Sequence, residues 1–150
     1  MMKIINRRFN RDYEIIEKYE AGIVLTGPET KSVKAGHIRL EDSFIKIIGN
    51  EAYLVNAEVQ IYQFAKPQGY DARRTRKLLL HKKELIRLKT KLASGSRLTI
   101  APISCYNKHG LIKLEIALAK AKKEREKRKM EKERDLKREE ERRIKEYIRS

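Results

Sequence analysis

Residues 97–118 read RLTIAPISCYNKHGLIKLEIAL. In the second half, Ile112, Leu114, Ile116 and Leu118 alternate with Lys113 and Glu115, the period-two pattern of a strand with one face in a core and the other toward water. Arg97 to Tyr106 supplies the partner strand of a hairpin. Pro102 within it cannot donate to a ladder, which predicts an edge or a bulge at that point.

The same pattern recurs upstream. Ser43–Ile48 and Glu51–Ala57 flank Gly49-Asn50, a two-residue loop suited to a hairpin, and Ile45 and Ile47 alternate with Lys46. Tyr13–Leu25 reads as a strand interrupted at Glu20-Ala21-Gly22, with Gly22 predicting a bulge or sharp bend. Gly27–Gly36 reads as a short helix: Pro28 suits a first helical position, Glu29 suits the positive first turn, and Gly36 can close the end. His81–Ser94 places Leu85, Leu88 and Leu92 on one helical face, with Gly95 as a stop. Residues 1–12 read as a polar, partly ordered arm, and residues 58–77 as a long loop ending in Asp71-Ala72-Arg73-Arg74-Thr75-Arg76-Lys77. Several strands at short spacing with one packed helix predict a mainly β fold, a small OB-like antiparallel barrel with two short helices.

The chain changes character at residue 119. Residues 1–118 hold 22 Lys/Arg and 12 Asp/Glu, a net +10, while residues 119–150 hold 15 and 9, a net +6, within an overall formal charge of +16. The second stretch has only Met130, Leu136, Ile144, Tyr147 and Ile148 as sizeable apolar side chains, too few for a core of its own. The expected organisation is therefore one body, 1–118, which buries about 65% of its extended surface, and a charged tail, 119–150, disordered or partly helical when free. Glu124/Arg128, Glu133/Lys137, Glu139/Arg143 and Glu141/Lys145 stand i,i+4 in the favourable order and bias the tail toward helix. Its apolar positions do not sustain a heptad seam.

A basic surplus of this size points to nucleic acid, with an anionic membrane surface second. No apolar run is long enough to span a bilayer and Met1–Phe9 lacks the apolar stretch of a secretory signal, so a cytoplasmic protein with no membrane partner is expected. Catalysis finds no support. His37, His81 and His109 are scattered, no glycine-rich phosphate loop follows a strand, and Cys105 is lone, which also excludes an internal disulfide and leaves no metal-ligand cluster. No cofactor is expected.

Arg73, Arg74, Arg76 and Lys77 are suited to phosphates, with Tyr62, Phe64 and Tyr70 nearby to stack on bases. The alternative is a solvated basic loop whose aromatics seal the barrel. Lys120, Lys122 and Lys123 form a second cluster where the last strand gives way to the tail, readable as a binding site or, as charge runs usually are, a solvated face.

An ordered set of pieces then narrows the choice. Asn6, Asp12-Tyr13, Tyr19–Leu25, Gly27–Gly36, Arg74–Leu80, Lys120–Lys123 and Lys127-Arg128 together resemble the SmpB family, the SsrA-binding proteins, in order and with the expected spacing. The resemblance implies an OB-like body, monomeric when free, that holds the tRNA-like part of transfer-messenger RNA and delivers it to stalled ribosomes for trans-translation. It also implies a tail that becomes helical in the empty message channel near the decoding centre. Asn6, Glu20, Leu79, Lys113, Lys120, Lys122 and Lys123 match family residues implicated in holding RNA, and Lys127, Arg128, Met130, Leu136, Ile144 and Tyr147 are the tail residues expected to meet the ribosome near the decoding centre. Glu20 would accept hydrogen bonds from base amino groups or 2′-hydroxyls, or hold a neighbouring Arg; Leu79 reads equally well as plain core. Ala72 stands where the family usually has Pro, Ala121 where it has Gly, Glu124-Arg125-Glu126 where an aromatic or His and then Asp are common, and Leu136 where Trp is frequent. The rival readings are a general RNA-binding or ribosome-assembly module, and an RNA-cleaving phosphoryl-transfer enzyme.

Overall fold

The computed structural model describes residues 2–61, 68–95 and 97–149. In chain order the elements are β1 (Lys3–Ile5), α1 (Phe9–Asp12), β2 (Tyr13–Ile23), α2 (Gly27–Lys34), β3 (Ile38–Arg39), β4 (Phe44–Ile48), β5 (Glu51–Val55), β6 (Glu58–Val59), β7 (Arg76–Leu79), α3 (Lys82–Ser94), β8 (Leu98–Lys108), β9 (Leu111–Ala121) and α4 (Glu124–Arg149). Seven strands pair antiparallel in the order β1-β8-β4-β5-β7-β2-β9. Because β8 pairs with β9 as well as with β4, the ladder returns on itself, the OB-like barrel that the strand spacing predicts. β3 and β6 form a separate two-stranded ribbon.

The hairpin of residues 97–118 is the spine of this arrangement. Ile112, Leu114, Ile116 and Leu118 of β9 turn inward with Ile100 and Cys105 of β8, and they meet Leu40, Leu54 and Leu78 from the other strands. Its turn is His109-Gly110, both at positive φ (53° and 81°), the backbone that a two-residue hairpin loop needs to match the strand twist. The register shifts between Pro102 and Ser104, so the bulge lies where Pro102 predicts one. The helix signals around α2 also hold: Thr26 and Glu29 form a reciprocal capping box and Gly36 takes φ +87° beyond the end. In α3, Leu88 is buried and Leu85 and Leu92 pack against the core.

Several expectations change, and the stretch 58–77 expected as one long loop holds β6 and the start of β7. The bulge in β2 falls between Ile15 and Glu17, not at Gly22. Gly22 is in regular ladder, and its missing side chain serves close approach instead: a Cβ there would sit 3.3 Å from the Leu79 Cβ on β7. Residues 2–12 are docked over more of their length than a partly ordered arm, because β1 pairs with Ser104–Tyr106 and the Phe9 ring is buried against Ala101, Ala117 and Ala119 on the outer face of β8 and β9. Three alanines and a glycine-free strand pair leave the shallow surface on which one aromatic ring can seat. β9 itself continues past residue 118 to Ala121, and the charged stretch after it is a single helix, α4.

Candidate nucleic-acid interface

Strand pairing brings three of the separated residues to one place. Gly22 of β2 is paired with Leu79 of β7 on one side and Lys113 of β9 on the other, so Leu79 and Lys113 flank a position with no side chain. Glu20, two residues back on the same outward face, pairs with Glu115. Leu79 is 55% exposed while its neighbour Leu78 is buried, which removes the core reading for Leu79. Val24 and Leu111, both exposed, extend the apolar part of the patch along the same two strands.

Glu20 is held, and not by an arginine. Its carboxylate accepts hydrogen bonds from the Tyr106 hydroxyl and from Lys108 Nζ at 3.3 Å. The Tyr106 hydroxyl, with Lys108 and Lys113 adding to it, keeps the Glu20 carboxyl below its ordinary range. Burial, and next the Glu20 carboxylate, pushes the Tyr106 phenol up. Lys108 partly offsets the charge of this ionised carboxylate, whose free lone pairs can still accept from a base amino group or a 2′-hydroxyl. Tyr106 and Lys108 are the members of this surface that sequence reasoning missed. The signal available was positional: Tyr106 is paired with Lys113 across the hairpin, so any role for Lys113 draws Tyr106 in.

The basic cluster at residues 73–77 divides. Arg76 is fully buried, so its candidacy as a direct phosphate contact is corrected. Its Nε donates to Glu29 Oε2 at 2.8 Å, Nη1 to the carbonyls of Ala57 (3.0 Å) and Arg74 (2.9 Å), and Nη2 to Tyr70 Oη and the Ala72 carbonyl, both at 3.1 Å. Arg74, half-buried, donates to the other oxygen of Glu29. Burial pushes the Glu29 carboxyl up, but the Thr26 N–H and the two guanidinium groups outweigh it and hold the group at about 2. This network staples the start of α2 to β7. Arg73 and Lys77 remain exposed, Arg73 beside Glu58 at 3.8 Å and Lys77 on Glu51 at 3.0 Å. Tyr70 is a partner of Arg76 and Glu29, so its stacking role is replaced by a structural one, while Tyr62 and Phe64 lie outside the described residues.

Asn6 is likewise buried, at 6% exposure, so any part it has in holding RNA is played through the backbone it positions. Its N–H donates to the Ile103 carbonyl at 2.8 Å and its Nδ2 to the Pro102 carbonyl at 2.9 Å, the two acceptors at the β8 bulge. Its Oδ1 accepts from the Arg8 N–H at 3.2 Å, which starts the turn into α1.

At the far end of β9, ~23 Å from Lys113 along the strand, Lys120 and Lys123 are exposed and Lys122 is half-buried. The Lys122 Nζ donates to the Asn10 carbonyl at 2.5 Å and approaches Met130 Sδ at 3.0 Å. On α4, Lys127 pairs with Asp12 at 3.5 Å and Arg128 with Glu124 at 3.8 Å, while Leu136, Ile144 and Tyr147 present exposed apolar surface, Tyr147 at 84%. Apart from Arg73 and Lys77 beside Glu58 and Glu51, and the apolar residues farther along α4, the candidates gather around Gly22 and where β9 hands over to α4.

Burial pushes the Cys105 thiol up to about 12, which leaves it un-ionised, and among the described residues no group of three or more His, Cys, Asp or Glu is placed to hold a metal. Among the same residues no helix is long and apolar enough to cross a membrane.

Comparison with known proteins converges on the resemblance. The family model described as SmpB protein matches residues 3–146. The SsrA-binding protein of Sulfurihydrogenibium sp. is 49% identical over 144 residues, 96% of this chain and 94% of that protein. The SsrA-binding protein of Persephonella marina is 46% identical over 96% of this chain and 94% of its own length. A solved chain from the work described as "tmRNA-SmpB: a journey to the center of the bacterial ribosome" superposes with a TM-score of 0.67 at 42% identity, covering 81% of this chain and 85% of that one. With agreement in sequence, length and fold, the chain belongs to the SmpB family of SsrA-binding proteins.

Proposed function

We propose that this protein binds transfer-messenger RNA through its barrel and delivers it to stalled ribosomes, acting as a binding protein in the cytoplasm and not as an enzyme. The family match from residue 3 to residue 146, tail included, is the observation that carries this reading. In it, residues 1–118 are the RNA-holding body and residues 119–150 the arm that engages the ribosome. Glu20, Leu79 and Lys113 meet exposed nucleotides around Gly22, with Tyr106 and Lys108 setting the charge of Glu20 and Lys77 at the rim. Lys120, Lys122 and Lys123 meet phosphates at the exit, and Arg73 and Arg74 contribute at the edge of the Glu29 network. Lys127, Arg128, Met130, Leu136, Ile144 and Tyr147 face the ribosome.

Two measurements test the reading together. RNA co-purified from the native host and sequenced should be dominated by transfer-messenger RNA, and unrelated structured RNAs should compete poorly; equal competition would favour a general RNA-binding module. If about five phosphates are neutralised, log K should fall against log salt with a slope of about −3.5 to −4.5. Replacing Lys122 and Lys123 by Ala should reduce that slope by about one to two units, and an unchanged slope would remove the pair from the interface.

A further inference from the structure

We infer that the outward face of β4, β5 and β7 is a further RNA subsite, in which the Tyr53 ring stacks on one unpaired base and Lys46 and Lys77 take the phosphates on either side of it. The class of ligand rests on the RNA reading above, whereas the platform itself rests on strand register.

Register sets the three residues in one row. Lys46 of β4 pairs with Tyr53 of β5, and Tyr53 pairs in turn with Lys77 of β7, so one aromatic ring stands between two lysines on neighbouring strands. All three point away from the core, because Ile45, Ala52, Leu54, Arg76 and Leu78, their neighbours in sequence, are buried. Adjacent strands lie ~4.8 Å apart, which sets the two lysine Cα atoms ~10 Å from each other with the tyrosine midway. The Tyr53 hydroxyl donates to Glu51 Oε2 at 2.5 Å, and Lys77 Nζ donates to Glu51 Oε1 at 3.0 Å. One carboxylate thus ties the polar edge of the ring to its own strand, so what the ring can offer a ligand is its apolar face.

Cross-strand pairs of this kind also stabilise a sheet, but stability needs only part of the row. Tyr53 and Lys77 share Glu51, whereas Lys46, on the other side of the ring, adds a second cation, so one carboxylate faces two lysines. Beside Lys46 on the same outward face of β4 stand Phe44 and Ile48, 39% and 56% exposed. Apolar surface and positive charge therefore meet on one face, and a nucleotide, with a flat base and an anionic phosphate, matches both. OB-like barrels commonly hold single strands in this way, with bases stacked on aromatics and cations tracking the backbone. The row is also continuous with the patch at Gly22. Leu79 is the next outward residue on β7 after Lys77, ~7 Å along the strand, and the Lys77 carbonyl accepts from the Val24 N–H at 2.9 Å. One RNA strand crossing Gly22 can run on over Tyr53 without leaving the sheet.

The test uses the full chain with transfer-messenger RNA as the probe. The sequence has no tryptophan, so Tyr53→Trp places a sole indole in the row. Its fluorescence should be quenched when the RNA saturates the protein, while Ile86→Trp on α3, outside the row, should keep its emission. Tyr53→Phe, which keeps the ring and loses the hydroxyl, should bind within about twofold of the wild type, and Tyr53→Leu, which keeps apolar bulk and loses the π face, should bind about fivefold or more weakly, the loss of one stacked base. Lys46→Ala should reduce the slope of log K against log salt by about one unit. Full affinity in Tyr53→Leu or an unquenched Tyr53→Trp would overturn the platform, and the tryptophan signal decides where Tyr53→Leu melts below the assay temperature. Equal losses in Tyr53→Phe and Tyr53→Leu would assign the effect to the Glu51 hydrogen bond and overturn stacking. An unchanged slope in Lys46→Ala would remove that lysine from the subsite. A wild-type protein with no preference for transfer-messenger RNA would instead count against the RNA reading.

Discussion

At position 79 one leucine separates two physical roles. Its neighbours Leu78 and Leu80 face or border the core, whereas Leu79 stands outward beside Gly22 with more than half its surface in water. Leu79→Ala should therefore change unfolding free energy by less than about 0.5 kcal/mol, while weakening transfer-messenger RNA binding by about 1 kcal/mol or more through lost apolar contact; chemical unfolding and filter binding on the same preparation check both halves. Glu29 is the converse case, a carboxylate that stabilises and binds nothing outside the chain. Replacing it with Gln strands the Arg76 guanidinium in the core, and breaking a buried pair in this way costs about 3–5 kcal/mol. The pH dependence has a definite sign. Because the folded protein holds the Glu29 carboxyl at about 2, below its ordinary 4.5, the stability it contributes is fully present above pH 4.5 and is lost as pH falls from there toward 2. Unfolding curves between pH 6 and 2 should show a shallower acid loss in Glu29→Gln than in the wild type, with a residual slope from Glu17, whose carboxyl Arg87 holds at about 2. An equal slope in both proteins would mean that Glu29 is not the titrating group.

Among the elements, those written in local pattern were legible from residues alone: the alternation of β9, the bulge at Pro102, the Gly49-Asn50 hairpin, the capped α2 and the leucine face of α3. What escaped depends on partners distant in sequence. Arg76 looks like an exposed member of a basic run until Glu29, 47 residues earlier, is brought beneath it, and Asn6 looks like part of a partly ordered arm until the β8 bulge offers it two carbonyls. The resemblance to a family marked Asn6, Glu20 and Leu79, but not which of them touches water; that is settled by strand register, which the alternation of β2 states poorly because its own bulge shifts the phase after Ile15. In α4 the local pattern is charge, and its prediction concerns helix itself. Glu139 Oε1 accepts from Arg143 Nη2 at 2.7 Å on an exposed face. Glu139→Ala removes only that pair, about 0.2–0.5 kcal/mol, whereas Glu139→Pro deletes a backbone donor and costs about 3 kcal/mol of helix. Tagging assays should find the Ala variant near wild type and the Pro variant impaired, with equal RNA affinity; equal activity of the two would mean that the arm does not work as a continuous helix.

On the scale of the whole molecule, charge and shape divide the work between the barrel and α4. Residues 130–150 carry eight Lys/Arg and seven Asp/Glu, so the distal arm is almost neutral in sum although every turn of it is charged. Long-range attraction for a polyanion must then come from the body and from the lysines at the exit, because a field summed over near-cancelling charges decays within a Debye length of ~8 Å at physiological salt. A near-neutral helix with exposed Leu136, Ile144, Tyr147 and Ile148 is suited instead to short-range contact along a surface it lies against, and its i,i+4 pairs reduce the ordering cost of lying there. Truncation after Lys129 follows directly from this division. It removes one net positive charge while Lys120, Lys122, Lys123, Lys127 and Arg128 remain, so affinity for transfer-messenger RNA should stay within about twofold of the full chain, a change of ~0.4 kcal/mol. In reconstituted translation on messages lacking a stop codon, the same protein should deliver no tagging, because the segment proposed to contact the ribosome is gone. A truncated protein that tags normally would make the distal helix a solvated appendage, and one that loses RNA affinity by tenfold or more would place residues 130–150 within the RNA site.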